Sequence, residues 1–254
     1  MDLTANGWGV ALRAYVLSKS GLPEALCSAL DACGVPRELG LVLVKPNVCG
    51  FYPPDPAVLR ALLDYLVERA EMVVIGETES AMHKPADRFR ALGLHDVASA
   101  YGGRVRLEDL TEGPKVKVEV PRGRAVSSLP LPRLLLEADY LVNLARIGSH
   151  PSTTITAALK NLFGLVAARH KYVRYHPRGM DKVVADVAKV VKPDVSVVEV
   201  GEEVVVASDP LVADVVASER FGVNPLSVRH LRMVAEDRGL DLEALVEAIE
   251  VVRL

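Results

Sequence analysis

The chain has 254 residues, with 30 basic and 33 acidic side chains and a formal net charge of −3. Half of it is hydrophobic, a globular composition that excludes a disordered chain, and the slightly acidic total excludes a surface devoted to nucleic acid or anionic membrane. Its three cysteines, Cys27, Cys33 and Cys49, form no CxxC pair, so no disulfide framework, zinc ribbon or iron–sulfur cluster is expected, and a reducing cytoplasm is the expected compartment.

In chain order, short β-branched runs alternate with helical periodicity. Val10–Leu17 reads as a strand, Pro23–Cys33 as an amphipathic helix stopped by Gly34, and Leu41–Val44 as a buried strand ended by Lys45-Pro46-Asn47. Asp55 is placed to cap a helix with Pro56 at its first position, running to about Arg69. Met72–Gly76 is a buried strand leading into Glu77-Thr78-Glu79. Pro85–Leu92 and His95–Tyr101 read as short helices, Val105–Leu107 and Val116–Val120 as strands, and the proline-rich 121–132 as a loop or a joint between lobes. Leu134–Ala138 is a helical turn and Asp139–Leu144 a buried strand. Thr154–Leu165 and Lys182–Val191, the latter with Asp181 as cap, read as helices. Val195–Val200 and Val204–Ala207 are strands, and Pro210–Phe221, Leu226–Arg238 and Leu240–Glu250 are closing helices.

The alternation predicts an α/β fold: a mostly parallel, Rossmann-like layered sheet with helices on both faces. The expected organisation is one domain over 1–254, with a small second lobe around 102–132 as the alternative. No apolar run approaches the ~20 residues of a membrane span, and Met1–Val16 has no signal-peptide core. The absence of glutamine and the excess of arginine over lysine point to a thermophilic, archaeal source.

In open parallel sheets, ligands bind beyond the carboxyl ends of the strands. Three strands end in polar groups there: Lys45 with Asn47, Glu77 with Glu79, and Asn143 with Arg146. The densest segment runs from Asn143 to Gly164. It places Thr153 and Thr154 at a helix start, where free N–H groups favour anions, with Lys160 and Asn161 one to two turns on. The structural alternative is that Ser152 or Thr153 merely caps that helix. Arg169–Arg178 gathers His170, Lys171, Arg174 and His176 in a basic loop suited to phosphate or carboxylate, or, with Tyr172 and Tyr175, to RNA.

The expected site therefore has Lys45, Asn47, Asn143, Thr153, Thr154, Asn161, His170, Lys171 and Arg174 binding a small anionic ligand. His150, Lys160 and His176 are the candidates for chemistry. A divalent metal, if bound, would draw on His150, His176, Glu77 and Asp209; Asp209 reads rather as a cap for the helix beginning at Pro210. His83, His95 and His230 read as surface or capping residues, and Cys49 as a buried hydrophobe. The function this describes is an enzyme acting on a small anionic metabolite. An RNA- or ribosome-binding protein, a metallochaperone or cofactor-assembly role, and self-association are the alternatives.

Several of these segments occur together in one order: Val44-Lys45-Pro46-Asn47, Ile75-Gly76-Glu77, Tyr140–Leu144, His150, Thr156–Leu165 with its Leu-Lys-Asn-Leu-Phe-Gly run, His176, and Ser208–Asp214. This order resembles the uncharacterised family catalogued as domain of unknown function 362, over roughly Leu41 to Leu231. The resemblance implies no settled activity. Many members carry ferredoxin-like modules, for which this chain lacks the cysteines. Members commonly have Lys-hydroxyl-His where this chain has Gly148-Ser149-His150, so a lysine is lost here, and Arg146 is the nearest replacement. A fainter likeness is to the nickel-dependent lactate racemase family, whose α/β lobe gathers histidines and a lysine around a cofactor.

Overall fold

The computed structural model describes residues 12–254. The expected strand start at Val10 and most of the Met1–Val16 segment lie outside the described residues. In chain order the first elements are β1 (Arg13–Ser18), α1 (Leu22–Ala32), β2 (Leu39–Lys45), α2 (Pro56–Val67), β3 (Ala70–Glu77), α3 (Pro85–Ala91), α4 (Leu94–Ser99) and β4 (Val105–Asp109). β5 (Lys115–Glu119), β6 (Ser128–Pro132), α5 (Arg133–Glu137), β7 (Tyr140–Arg146), β8 (Gly148–His150), β9 (Thr154–Thr156), α6 (Ala158–Leu162) and α7 (Lys171–Tyr175) follow. The chain closes with α8 (Met180–Val190), β10 (Val195–Val200), β11 (Glu203–Ala207), α9 (Pro210–Arg220), α10 (Arg229–Asp237), α11 (Leu242–Ala248) and β12 (Glu250–Arg253).

Eight strands form one sheet in the order β12-β1-β11-β10-β7-β2-β3-β4. Only β11 runs antiparallel to its neighbours. Side chains alternate faces along each strand, so the sheet separates two apolar cores. Val42 and Val44 of β2, with Val73 and Ile75 of β3, pack on Leu26 of α1 and Leu62 of α2. Leu43 and Val74 belong to the opposite core, with Leu159 of α6, Val183 of α8, Leu211 of α9 and Leu231 of α10. Helices thus cover both faces, and the doubly wound α/β expectation stands. From β2 the chain moves outward through β3 to β4, then returns to place β7 on the other side of β2. That reversal is a topological switch point, where the connections leave a crevice beyond the strand ends. Lys45, the last residue of β2, is in register with Asn143 of β7 there.

Local chemistry explains the element ends. Asp55 caps α2 by accepting from the Ala57 N–H at 2.9 Å, with Pro56 at the first position. Several expected boundaries are corrected. Thr154–Leu165 is not one helix: its β-branched start pairs with β8 as a hairpin, His150 opposite Thr154, and helix begins only at Ala158. Asp181 is not the cap of α8 but lies in its first turn. Part of the proline-rich stretch is strand β6, which pairs with β5 in a separate two-stranded sheet. A two-stranded sheet has only edges, where prolines without N–H are tolerated. The last expected helix stops at Ala248, and β12 follows as an edge strand parallel to β1. Among the described residues, no helix is long and apolar enough to cross a membrane.

Candidate functional site

A cavity of about 420 Å³ lies over the carboxyl ends of β2 and β3, lined by Lys45, Asn47, Glu77, His150, Lys160, Asn161, Lys171 and His176 among others. These eight of the expected residues are brought together around one cavity. Six expected residues are not part of the lining: Asn143, Thr153, Thr154, His170, Arg174 and Asp209.

The floor is a buried ion pair. Lys45 Nζ donates to Glu77 Oε2 at 2.8 Å and to Asn161 Oδ1 at 2.7 Å. The Asn161 amide reaches Asn143 Oδ1 at 2.8 Å and the Lys45 carbonyl at 3.0 Å, and the Asn143 amide reaches the Ala158 carbonyl at 3.0 Å. Asn143 and Asn161 are therefore struts that bind α6 to β2 and β7, and of the two only Asn161 also lines the cavity. A half-satisfied buried amide is costly, so a fully engaged network fixes the floor's geometry. Gly164 allows the close approach: a Cβ there would lie 2.3 Å from Lys45 Cε and 2.6 Å from its Nζ. Thr78, directly after β3, donates to the Gly164 carbonyl and receives a hydrogen bond from Lys171 Nζ.

Two further lysines face the same space. Lys171 is buried on α7, its Nζ 5.3 Å from the Phe163 ring centroid. Burial holds its ammonium down at about 8, with Lys45 pushing the same way and Glu77 opposing. Lys160, on α6, is likewise brought to about 8, by burial first and then by Lys45. Among the described residues no hydrogen bond or ion pair engages its amine.

Around Lys160 the imidazoles are held neutral. His150 Nδ1 accepts the Ser152 N–H at 3.2 Å, with Thr153 Oγ1 at 3.0 Å. A backbone N–H can only donate, so the neutral ring carries its proton on Nε2. Burial, then Lys160, pushes His150 down to about 4. His176 is lowered by burial and then by Lys160; its ring lies 4.1 Å from that of Tyr172. Its Nδ1 is buried with no partner among the described residues. His230 is not a surface or capping residue: it is fully buried on α10, its Nδ1 3.1 Å from Asp181 Oδ1. Burial lowers its pKa too, Asp181 opposes, and Lys160 adds to the lowering. Cys49 lines the cavity, and burial raises its thiol to about 12, which keeps it protonated.

The remaining expected residues have structural roles. Thr153 is buried and donates to the Ile155 carbonyl at 2.8 Å, and Thr154 belongs to β9, so neither stands at a helix start. The start of α6 is instead capped by Asp214 of α9, which accepts from Ala158 N at 2.6 Å and Leu159 N at 2.9 Å. Asp214 thus faces α6 and not the cavity. Of the basic segment, Lys171, Tyr172 and His176 line the cavity, while Tyr175 is buried in the core beside it. Its helical phase leaves Arg174 exposed, 5.5 Å above the Tyr175 ring. His170 is exposed at a φ of 56°, and Arg169 pairs with Glu112 at 2.7 Å.

The four expected metal donors do not assemble. Asp209 caps α9, accepting from Leu211 N at 2.7 Å, and is held by Arg238 at 2.8 Å. Glu77 is engaged by Lys45, and His150 presents N–H rather than a lone pair at Nε2. Metal-ligating histidines normally have the opposite arrangement, donating through the distal nitrogen. Among the described residues no group of three His, Cys, Asp or Glu side chains is placed to hold a metal. Sequence reasoning missed Thr78 and Gly164 as site supports; Asp214, a lone acid inside the apolar run of α9 that reads as able to face the cleft, instead caps α6.

A family model described as "Domain of unknown function (DUF362)" matches residues 42–203. A curated relative, the "Thylakoid-associated protein sll1697" of Synechocystis sp., is 32% identical over 76 residues, which is 28% of this chain and 24% of the relative. Among solved structures, the lactate racemase apoprotein from Thermoanaerobacterium thermosaccharolyticum shares 14% identity at a TM-score of 0.45, covering 81% of this chain and 56% of that one. The chain thus spans about a quarter of the curated relative and just over half of the racemase chain.

Proposed function

The chain belongs to the family of domain of unknown function DUF362, and from that premise we propose that its cavity binds a small carboxylate or phosphate and that the protein is an enzyme acting on it. The observation that carries this reading is Lys160: a partly buried lysine whose amine has no hydrogen-bond or ion-pair partner among the described residues, facing a cavity shared with the buried Lys171. Each of the two amines loses hydration and is repelled by Lys45, so a bound anion would relieve both costs at once. An anion between Lys160 and Lys171 would also lie within reach of the His150 Nε2–H as a further donor.

The same groups suit proton transfer. Amines that titrate near 8 sit close to the working pH, where acid–base catalysis is efficient, and the lowered imidazoles stay neutral there. In this reading Lys160 and Lys171 hold the anion, His150 donates to it, and His176 accepts or returns a proton.

Isothermal titration of acetate and of phosphate at pH 7 tests the reading. The wild type is expected to bind one or both. Lys160→Met is expected to weaken binding by at least about tenfold, the loss of one charge-assisted hydrogen bond. Equal affinity in the variant would contradict the assignment.

A further inference from the structure

Exposure sorts the cavity lining in an inverted order. Proteins ordinarily bury apolar side chains and leave charges to water. Here the deep lining is charged, with Lys45 1%, Glu77 2% and Lys171 6% exposed. The outer lining is apolar, with Phe51 66%, Tyr172 57% and Met82 54% exposed. A single exposed hydrophobe needs no explanation. These three come from separate segments, the loop after β2, the loop after β3, and α7, and they meet at one mouth. Tyr172 is fixed as a wall by its stacking on His176.

The volume points the same way. At roughly 30 Å³ per non-hydrogen atom, the share of one molecule in liquid water, the cavity of about 420 Å³ holds on the order of a dozen atoms. Acetate or phosphate would fill less than half of it.

We propose that the ligand is an amphiphilic anion that enters head first, its carboxylate or phosphate at Lys160 and Lys171 and an apolar body, a short acyl chain or an aromatic ring, against Phe51, Met82 and Tyr172. This rests on the anion-binding reading above and names the class of substrate. Charge complementarity sets the orientation: the cations lie deep, so the head lies deep and the apolar body lies at the mouth.

The test is a titration series of acetate, butyrate, hexanoate and octanoate, each below its micelle concentration, at pH 7. Affinity is expected to rise about two- to fourfold per added methylene, fourfold being the factor for complete burial of one CH₂. The double variant Phe51→Ser, Met82→Ser is expected to fold, since both side chains are exposed. It should flatten the series while leaving acetate within about twofold of wild type. Lys160→Met should weaken every member alike. Acetate binding with no dependence on chain length would overturn this inference and leave the anion reading standing. Failure of every carboxylate, and of phosphate, would overturn both. Octanoate bound equally by Lys160→Met would contradict the head-first orientation. A flat series from a wild type that self-associates, and that becomes monomeric in the double variant, would assign the mouth to a second copy of the chain and overturn the proposal.

Discussion

At the scale of residues, the ionisation of Lys160 bears on stability and, under the proposed function, on binding. Its folded value of about 8 lies below the 10.5 of an unperturbed lysine. Between those values the unfolded chain holds the proton more tightly, so stability rises with pH across that window and the full cost applies below it. Lys160→Met removes the cost. The variant is expected to melt a few degrees above wild type at pH 7, with the gap shrinking by pH 10, as read by calorimetry. The same proton would hold the ligand, so the affinity for acetate should fall as pH rises through about 8. On the acid side the sign is the same. His150 titrates near 4 when folded and 6.5 when unperturbed, and His176 and His230 shift in the same direction. Stability is therefore lost as pH falls from about 6.5 toward 4. Wild type is expected to melt several degrees lower at pH 5 than at pH 7, and His150→Asn should show a smaller drop; an equal drop would remove His150 from this account.

At the scale of elements, α6 carries Lys160 but is too short to hold itself. Asp214 supports it from α9, and burial raises that carboxyl to about 7 even though two backbone N–H bonds oppose the rise. Asp214→Ala leaves two buried N–H donors without partners. At ~1–3 kcal/mol each, a fall in melting temperature of roughly 10 °C is expected. Gly164→Ala forces the Lys45–Glu77 pair apart, and is expected to cost about 1–3 kcal/mol and to weaken anion binding; a neutral outcome in both would show that the floor can give. The segment from His150 to Gly164 was recognisable as chemically dense because hydroxyls, a lysine and an asparagine crowd a short apolar run. Its shape was not. The β-branched Thr154-Ile155-Thr156 pairs with β8 in a hairpin whose stability comes from packing, so helical spacing was the wrong template there. For the same reason Lys171 was distinguishable from His170 and Arg174 only once the phase of α7 was known.

At the scale of the whole molecule, the sheet was legible because its central strands are buried on both faces and read as continuous apolar runs ending in polar residues. β6, with Pro130 and Pro132, and the exposed β12 lack that signal, and both are edges. The convergence of Lys45, Glu77 and Lys160 was legible in outline, since polar strand ends in a doubly wound sheet meet at the switch point. Which polar groups face the cavity was not, because Asn143, Asp209 and Asp214 are drawn into caps and struts by partners 15 or more residues away in sequence. The inverted lining likewise exists only in three dimensions. The proposal that an anion is held between Lys160 and Lys171 is tested most directly by anomalous diffraction from crystals soaked in selenate. A selenium peak is expected within about 4 Å of the Lys160 and Lys171 Nζ atoms, the reach of a charge-assisted hydrogen bond to a tetrahedral oxyanion. Selenate found only on the outer surface, with the cavity free of it, would contradict the claim.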